Sequence, residues 1–303
     1  MQYFPLFVDT KGLRVLIVGA GEVASRKLDL LARTEADIAV IAPEISDDIQ
    51  RYAERKRVRV YQRDVQDADV HNVDVIYLAT ANDSLNADLA TLASERGIWA
   101  NVVDNPAFCR FITPSIVDRG RLVVAISTAG AAPVFARTIR SKLESLLPTS
   151  LKPLFDFVAE RREEVQTKLD TTKARRLFWE AFFNLNGDKF DTDTLEHYQN
   201  AYLQLRAKGE ILLMDNETSP QLLPIAAMPL LQRVDAVYSD IDLPETLSEL
   251  LRRDASKVAM VSLSQLASGY DSGERVFIYA DKTQIGTLKA HFPMAKHLRA
   301  GAL

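Results

Sequence analysis

Cysteine is almost missing from this chain. A single Cys109 stands among 303 residues, so no intrachain disulfide can form and the small disulfide-stapled classes are excluded. With only four histidines, none in a paired run with that cysteine, no metal site of zinc spacing is expected. Charge interrupts every apolar run well short of the about 18 residues that a membrane helix needs. The opening MQYFPLFVDTKGLRVLIVGAG has neither a basic segment ahead of its apolar residues nor a small-residue cleavage site, and reads as neither signal peptide nor membrane span. A reducing, cytoplasmic setting is the expectation. Cationic excess is lacking too: Lys+Arg 37 against Asp+Glu 41 gives a net charge of −4, so no nucleic-acid partner is expected and any anion must be held locally. No fixed-period repeat or low-complexity tract occurs.

What remains is an ordinary globular composition, 47% apolar and 26% charged, in a chain long enough for two or three cores. Short β-branched runs alternate with amphipathic segments over the first hundred residues, the pattern of a parallel sheet with crossover helices. Strands are predicted at 14–18, 37–41, 57–61, 73–79 and 98–103, with helices at 23–32, 46–55 and 82–96. Together they make a doubly wound α/β unit. Beyond Pro114, a strand is predicted at 121–127, a small-residue loop at 128–132 and a helix at 133–147 opened by its proline. Val134, Phe135, Ile139, Leu143, Leu146 and Leu147 share one face of that helix. Residues 151–185 read as helical. A smaller α/β unit follows, with strands at 210–214, 236–239, 257–263 and 275–280.

The chemistry concentrates where strands end. Gly19-Ala20-Gly21-Glu22-Val23-Ala24 follows the first strand directly and runs into a helix, the G-x-G-x-x-G/A arrangement. Gly19 permits the tight turn, Gly21 lets backbone approach a pyrophosphate, and Ala24 lets the helix pack close, with its N-terminus toward the anion. Glu22 and Val23 supply the first amides. About 20 residues on, Pro43 and Glu44 follow the second strand, where an acid can bind a ribose hydroxyl, favouring NAD over NADP. Thr80 and Asn101 sit at further strand ends and are candidate cofactor contacts or turn residues.

Asn101-Val102-Val103-Asp104-Asn105-Pro106 places a carboxylate beyond a strand end on the cofactor side. Asp104 is the candidate acid–base group, and the same residues also suit an Asx turn before a proline. Cys109 reads as a small buried residue and His71 as part of a surface turn.

These residues resemble the siroheme synthases, through YFPLF, VLIVGAGEVASRK, LATANDSLN, NVVDNP, FITPSIVDRG, LVVAISTAGAAPVFAR, KLESLLP and RRLFWEAFF, over roughly residues 1–208. The resemblance implies a precorrin-2 dehydrogenase and sirohydrochlorin ferrochelatase module: a Rossmann-type NAD-binding domain at 1–113, a dimerisation segment at 114–150 and a helical domain at 151–208. NAD would take a hydride from precorrin-2, and ferrous iron would enter the product as a substrate. The family's shared acid falls on Asp104, and a homodimer is implied. Arg110, Arg119, Arg121, Arg137 and Arg140 lie in segments expected around the polycarboxylate tetrapyrrole, where guanidinium groups suit carboxylates. Ser127 and Thr128 lie in the same loop. Thr128 stands where some family members carry a regulatory serine. Two other readings fit the glycine turn: a dehydrogenase without chelatase activity, and an NAD-sensing module.

The region 209–303 resembles a shortened uroporphyrinogen methyltransferase domain, through GEILLM, QLLPIAAMPLLQRVDAVYSD and LPETLSELLRRDASKVAMV. Asp215-Asn216-Glu217-Thr218-Ser219-Pro220 replaces that domain's glycine loop, so no methyltransferase activity is expected.

Overall fold

A computed structural model describes residues 2–205 and 209–301. The expected helical-domain boundary at 208 lies outside the described residues. The chain divides into two compact units, Met1–Leu147 and Pro148–Leu303.

The first unit is built on a five-stranded parallel sheet: β1 (Arg14–Val18), β2 (Asp37–Ala42), β3 (Arg59–Gln62), β4 (Val75–Leu78) and β5 (Trp99–Val102), in the order β3-β2-β1-β4-β5. Central β1 and β4 are buried on both faces, which is why they read as unbroken apolar runs. Helices α1 (Glu22–Leu31), α2 (Asp47–Glu54) and α3 (Asp83–Glu95) cross between the strands. Ala24, Leu28 and Ile49 fill one core with β1 and β2 residues. Leu89, Ala90 and Ala93 fill the other against β4 and β5. Sheet order reverses between β1 and β4, so a ligand crevice is expected at the carboxyl ends of these two strands.

A hairpin follows. β6 (Ser115–Arg119) pairs antiparallel with β7 (Leu122–Ile126), turning at Gly120, whose φ is +73° and whose amide donates to Asp118 Oδ1 at 2.8 Å. β6 lay unrecognised in the sequence, although Asp118-Arg119-Gly120 is a turn signal. α4 (Pro133–Leu146) packs on β6, buries Ala136 and leaves Val134, Phe135 and Leu146 60–70% exposed.

In the second unit the helical stretch is broken into α5 (Leu151–Lys168) and α6 (Thr172–Asn186), because Thr171 starts a new helix by accepting the Ala174 amide. α7 (Thr194–Ala201) closes this part around Phe157, Phe178, Phe182 and Tyr198. A second parallel sheet contains β8 (Glu210–Asp215), β9 (Ala236–Tyr238), β10 (Ser256–Val258), β11 (Arg275–Ala280) and β12 (Lys296–His297), ordered β10-β9-β11-β8-β12. The helices α8 (Met228–Leu231), α9 (Glu245–Leu250), α10 (Leu263–Asp271) and α11 (Lys282–His291) connect them. The strand expected at 257–263 ends at Val258. Ser262 and Gln265 form a capping box that starts α10, so Leu263 is helical. Arg176 pairs with Asp235, and Arg275 with Glu180 at 2.6 Å, tying α6 to this sheet.

Candidate active site

The glycine turn is shaped by one contact. Gly19 has φ +102°, and a Cβ there would lie 2.5 Å from the Ala79 carbonyl oxygen at the end of β4. Only glycine lets β1 turn this close to its neighbour. Gly21 caps α1 without side-chain help, and a Cβ on it would meet nothing within 4 Å. Space above the helix N-terminus is therefore open. The Ser25 amide bonds the Gly21 carbonyl at 3.0 Å, and by helix geometry the amides of Glu22, Val23 and Ala24 are left without intrahelical acceptors. This is a fit for a pyrophosphate. The Glu22 side chain is turned to Arg26 on the exposed side.

Pro43 and Glu44 are exposed just past β2, and Asp47 and Asp48 open α2 immediately beyond. Three carboxylates at this strand end favour a free ribose hydroxyl over a phosphorylated one. Thr80 and Asn101 point inward. Thr80 Oγ1 donates to Asn86 Oδ1 at 2.7 Å, and Asn86 Nδ2 returns a bond to the Thr80 carbonyl at 3.0 Å. Asn101, 7% exposed, donates to the Phe111 carbonyl at 2.9 Å. Both side chains are thus engaged within the protein and set the shape of the crevice wall. Asn86 escaped the sequence reading; its signal is an amide on the buried stripe of α3 shared with Leu89, Ala90 and Ala93.

Asp104 is exposed at the carboxyl end of β5 in the left-handed conformation, φ +57°. Aspartate tolerates this region better than most residues. The chain then turns back through a short 3-10 helix, Pro106–Phe108, and the Arg110 amide bonds the Ala100 carbonyl at 2.9 Å. Cys109 Sγ, the free thiol, accepts the Val102 amide at 3.2 Å and donates to the Val102 carbonyl at 3.2 Å. It is the latch of the Asp104 loop.

Beneath the loop lies Lys27, half-buried on α1. Its Nζ donates to Thr113 Oγ1 at 3.2 Å and stands 5.7 Å from the centre of the Tyr77 ring. Burial lowers its pKa from the ordinary lysine value, against the opposing pull of Cys109 and Asp104. Burial likewise raises the Tyr77 phenol, with a bond to Thr113 working the other way.

The remaining candidates lie off this sheet edge. Arg110 is exposed next to the latch. Ser127 Oγ accepts the Ala129 amide at 3.0 Å and Thr128 Oγ1 accepts the Ala132 amide at 3.1 Å, holding the loop before α4, on which Arg137 is exposed. Arg119 is committed to Glu144 at 2.6 Å and to the Leu147 carbonyl at 2.8 Å, and Arg140 lies 3.6 Å from the same Glu144. Gly19, Gly21, Glu44, Thr80 and Asp104 thus share one edge, whereas Ser127, Thr128 and Arg137 belong to the hairpin and α4. A cleft of about 590 Å³ between α1 and α2 is lined by Glu22, Asp29, Arg51 and Arg55 and includes neither Gly21 nor Asp104. Among the described residues, no group of three or more His, Cys, Asp or Glu side chains forms a metal cage, and no helix is long and apolar enough to cross a membrane.

Three family models match the chain in succession: an NAD(P)-binding family over residues 6–115, the sirohaem biosynthesis protein central region over 119–146, and the sirohaem synthase dimerisation region over 150–191. The siroheme synthase of Pseudoalteromonas atlantica is 40% identical over 269 residues, covering 85% of this chain and 58% of that protein. That of Photorhabdus laumondii is 37% identical over 268 residues, covering 86% and 57%. The chain therefore spans little more than half the length of these relatives. Among solved structures, SirC, a precorrin-2 dehydrogenase, superposes with a TM-score of 0.52 at 26% identity, covering 67% of this chain and 98% of that one. In this succession of matched regions, and in a glycine turn and an acid-bearing loop at one sheet edge, the chain is similar to the siroheme synthases over the part of their length that it spans.

Proposed function

We propose that this protein oxidises precorrin-2 to sirohydrochlorin with NAD and then inserts ferrous iron into the product, acting as a homodimer in a reducing, cytoplasmic setting. The observation that carries this reading is the placement of Asp104. It is a solvent-facing carboxylate at the end of β5, fixed by the Cys109 latch, on the same sheet edge as the open glycine turn.

Gly19 and Gly21 would hold the pyrophosphate with the amides of Glu22 and Val23, Pro43 and Glu44 would flank the ribose, and Thr80 and Asn101 would form the wall. When bound, NAD supplies the acceptor for a hydride. Removal of that hydride leaves one proton to depart from the tetrapyrrole, and Asp104 is placed to accept it. Iron insertion releases two pyrrolic N–H protons as the ferrous ion becomes bound by all four ring nitrogens. Asp104 takes them in turn and passes them to water. A resident metal cage would compete with the macrocycle for iron, so a carboxylate alone suits the transfer. Arg110 and Arg137, with the hydroxyls of Ser127 and Thr128, are the groups proposed to meet the substrate's carboxylates. The apolar face of α4 supports the homodimer, since Val134, Phe135 and Leu146 have no cover in the described protomer.

In the second unit Asp215 opens the segment that stands where the resembled methyltransferase domain has its glycine loop. Its side chain is buried, accepts Thr218 Oγ1 at 2.9 Å and meets His297 Nε2 at 3.2 Å, which fills the end of β8 and speaks against methyl transfer there.

The test is anaerobic incubation of the purified protein with precorrin-2 and NAD, followed by ferrous ion, with absorption recorded throughout. Two successive spectral changes are expected, the first with one NADH formed per tetrapyrrole. Binding of NAD with no spectral change would identify a sensor instead, and a first change without the second would identify a dehydrogenase alone.

A further inference from the structure

We propose that Lys27 is a positioning residue for the proton-accepting loop, joining the helix that receives the nucleotide to the segment that carries Asp104. This deepens the reading above and rests on it. α1 presents Ala24 and Leu28 to the core, and Lys27 projects from the same helix toward β4 and the loop rather than into solvent. A half-buried ammonium group is costly to keep unless acceptors, an anion or an aromatic face stand against it. Here the facing groups come from two elements. β4 contributes Tyr77, and the returning loop contributes the Thr113 hydroxyl, with the Asp104 carboxylate within electrostatic reach.

The loop's other hydrogen-bonded anchors lie on β5, among them the Arg110 amide on the Ala100 carbonyl. Cys109 fixes its middle to Val102, and Asn101 fixes Phe111. Phe111 in turn packs edge-to-face on Tyr77, with ring centres 5.5 Å apart. Thr113 is the last residue before Pro114 and the hairpin, and the Lys27 ammonium is its tie to α1. Lys27 thus sets both the loop's position and the positive charge beneath it. It does not touch the reacting atoms in this arrangement; it acts through Asp104.

The experiment is a double-mutant cycle with Lys27→Met, Lys27→Arg, Asp104→Asn and the Lys27→Met/Asp104→Asn pair, each as the full chain. Methionine keeps the unbranched stem and removes the charge. The measured quantities are NAD affinity, the thermal midpoint, and kcat and KM for precorrin-2 oxidation. Lys27→Met is expected to lower kcat by about tenfold or more with KM and NAD affinity within about twofold of the parent, and Lys27→Arg to recover most of the loss. In the Asp104→Asn background the same change is expected to cost less than about twofold, because the group through which Lys27 works is already gone. An equal loss in both backgrounds, or no recovery with arginine, would overturn the proposal in favour of plain scaffolding. Full activity of Asp104→Asn alone would instead remove the acid–base reading beneath it, so the two failures are told apart. If Lys27→Met does not fold, Lys27→Arg against Lys27→Gln runs the same cycle.

Discussion

Cys109 and Val102 exchange two hydrogen bonds through one sulfur, each 3.2 Å long, across the mouth of the Asp104 loop. The thiol is therefore structural, and its replacement separates packing from bonding. Cys109→Ala should lower stability by about 1 kcal/mol and slow catalysis by loosening the loop, while Cys109→Ser, which keeps a donor and an acceptor, should cost less. Thermal unfolding of the two variants, with rates measured well below the midpoint, checks this order.

The two glycines of the first turn should fail in different ways. A methyl group on Gly19 meets the Ala79 carbonyl in a left-handed conformation, so Gly19→Ala should destabilise the first unit by about 2–4 kcal/mol. Gly21→Ala meets no protein atom and should fold with a loss of about 1 kcal/mol or less from the poorer helix cap, yet bind NAD at least about tenfold more weakly because the methyl occupies the pyrophosphate's approach. Calorimetry for folding and titration for binding separate the two.

Much of this was legible in the sequence because it depends on local rules. The parallel sheet follows from buried β-branched runs, and the turn from glycines between a strand and a helix. Less legible were features set by contacts far along the chain. The bond of Lys27 to Thr113 spans 86 residues, and no spacing rule links them. Thr80 and Asn101 stand at the right strand ends, but the direction of their side chains depends on Asn86 and Phe111. The strand expected at 257–263 failed for a local reason that was available: Ser262 and Gln265 spell a capping box.

The exposed face of α4 predicts its own variant. Phe135, 60% exposed, should lie in the contact between copies, and Phe135→Asp should weaken dimerisation by at least about 2 kcal/mol while leaving the monomer folded. Sedimentation across a concentration series reads the shift. An unchanged association constant would place the contact elsewhere.

Acid should loosen the second unit through the two ends of β8. Burial pushes the Glu210 carboxyl up, but bonds from Lys296 and Arg233 outweigh it and hold the group below its ordinary value. Burial also raises Asp215, and Thr218 and His297 more than compensate. Both carboxylates are depressed in the folded state, so their stabilisation is present in full above about pH 4–5 and is lost as pH falls through the lower folded values. Glu210→Gln should cost about 1 kcal/mol at neutral pH, and the gap from the parent should close by about pH 3. Denaturant unfolding at several pH values tests the sign.

The most direct test of the central claim is the two-stage anaerobic reaction of Asp104→Asn, measured beside its NAD affinity. Nucleotide binding is expected to be unchanged, because the glycine turn is untouched, with hydride removal and iron insertion both slowed by about 100-fold or more. Parental rates in both stages from a folded, NAD-binding Asp104→Asn protein would contradict the claim.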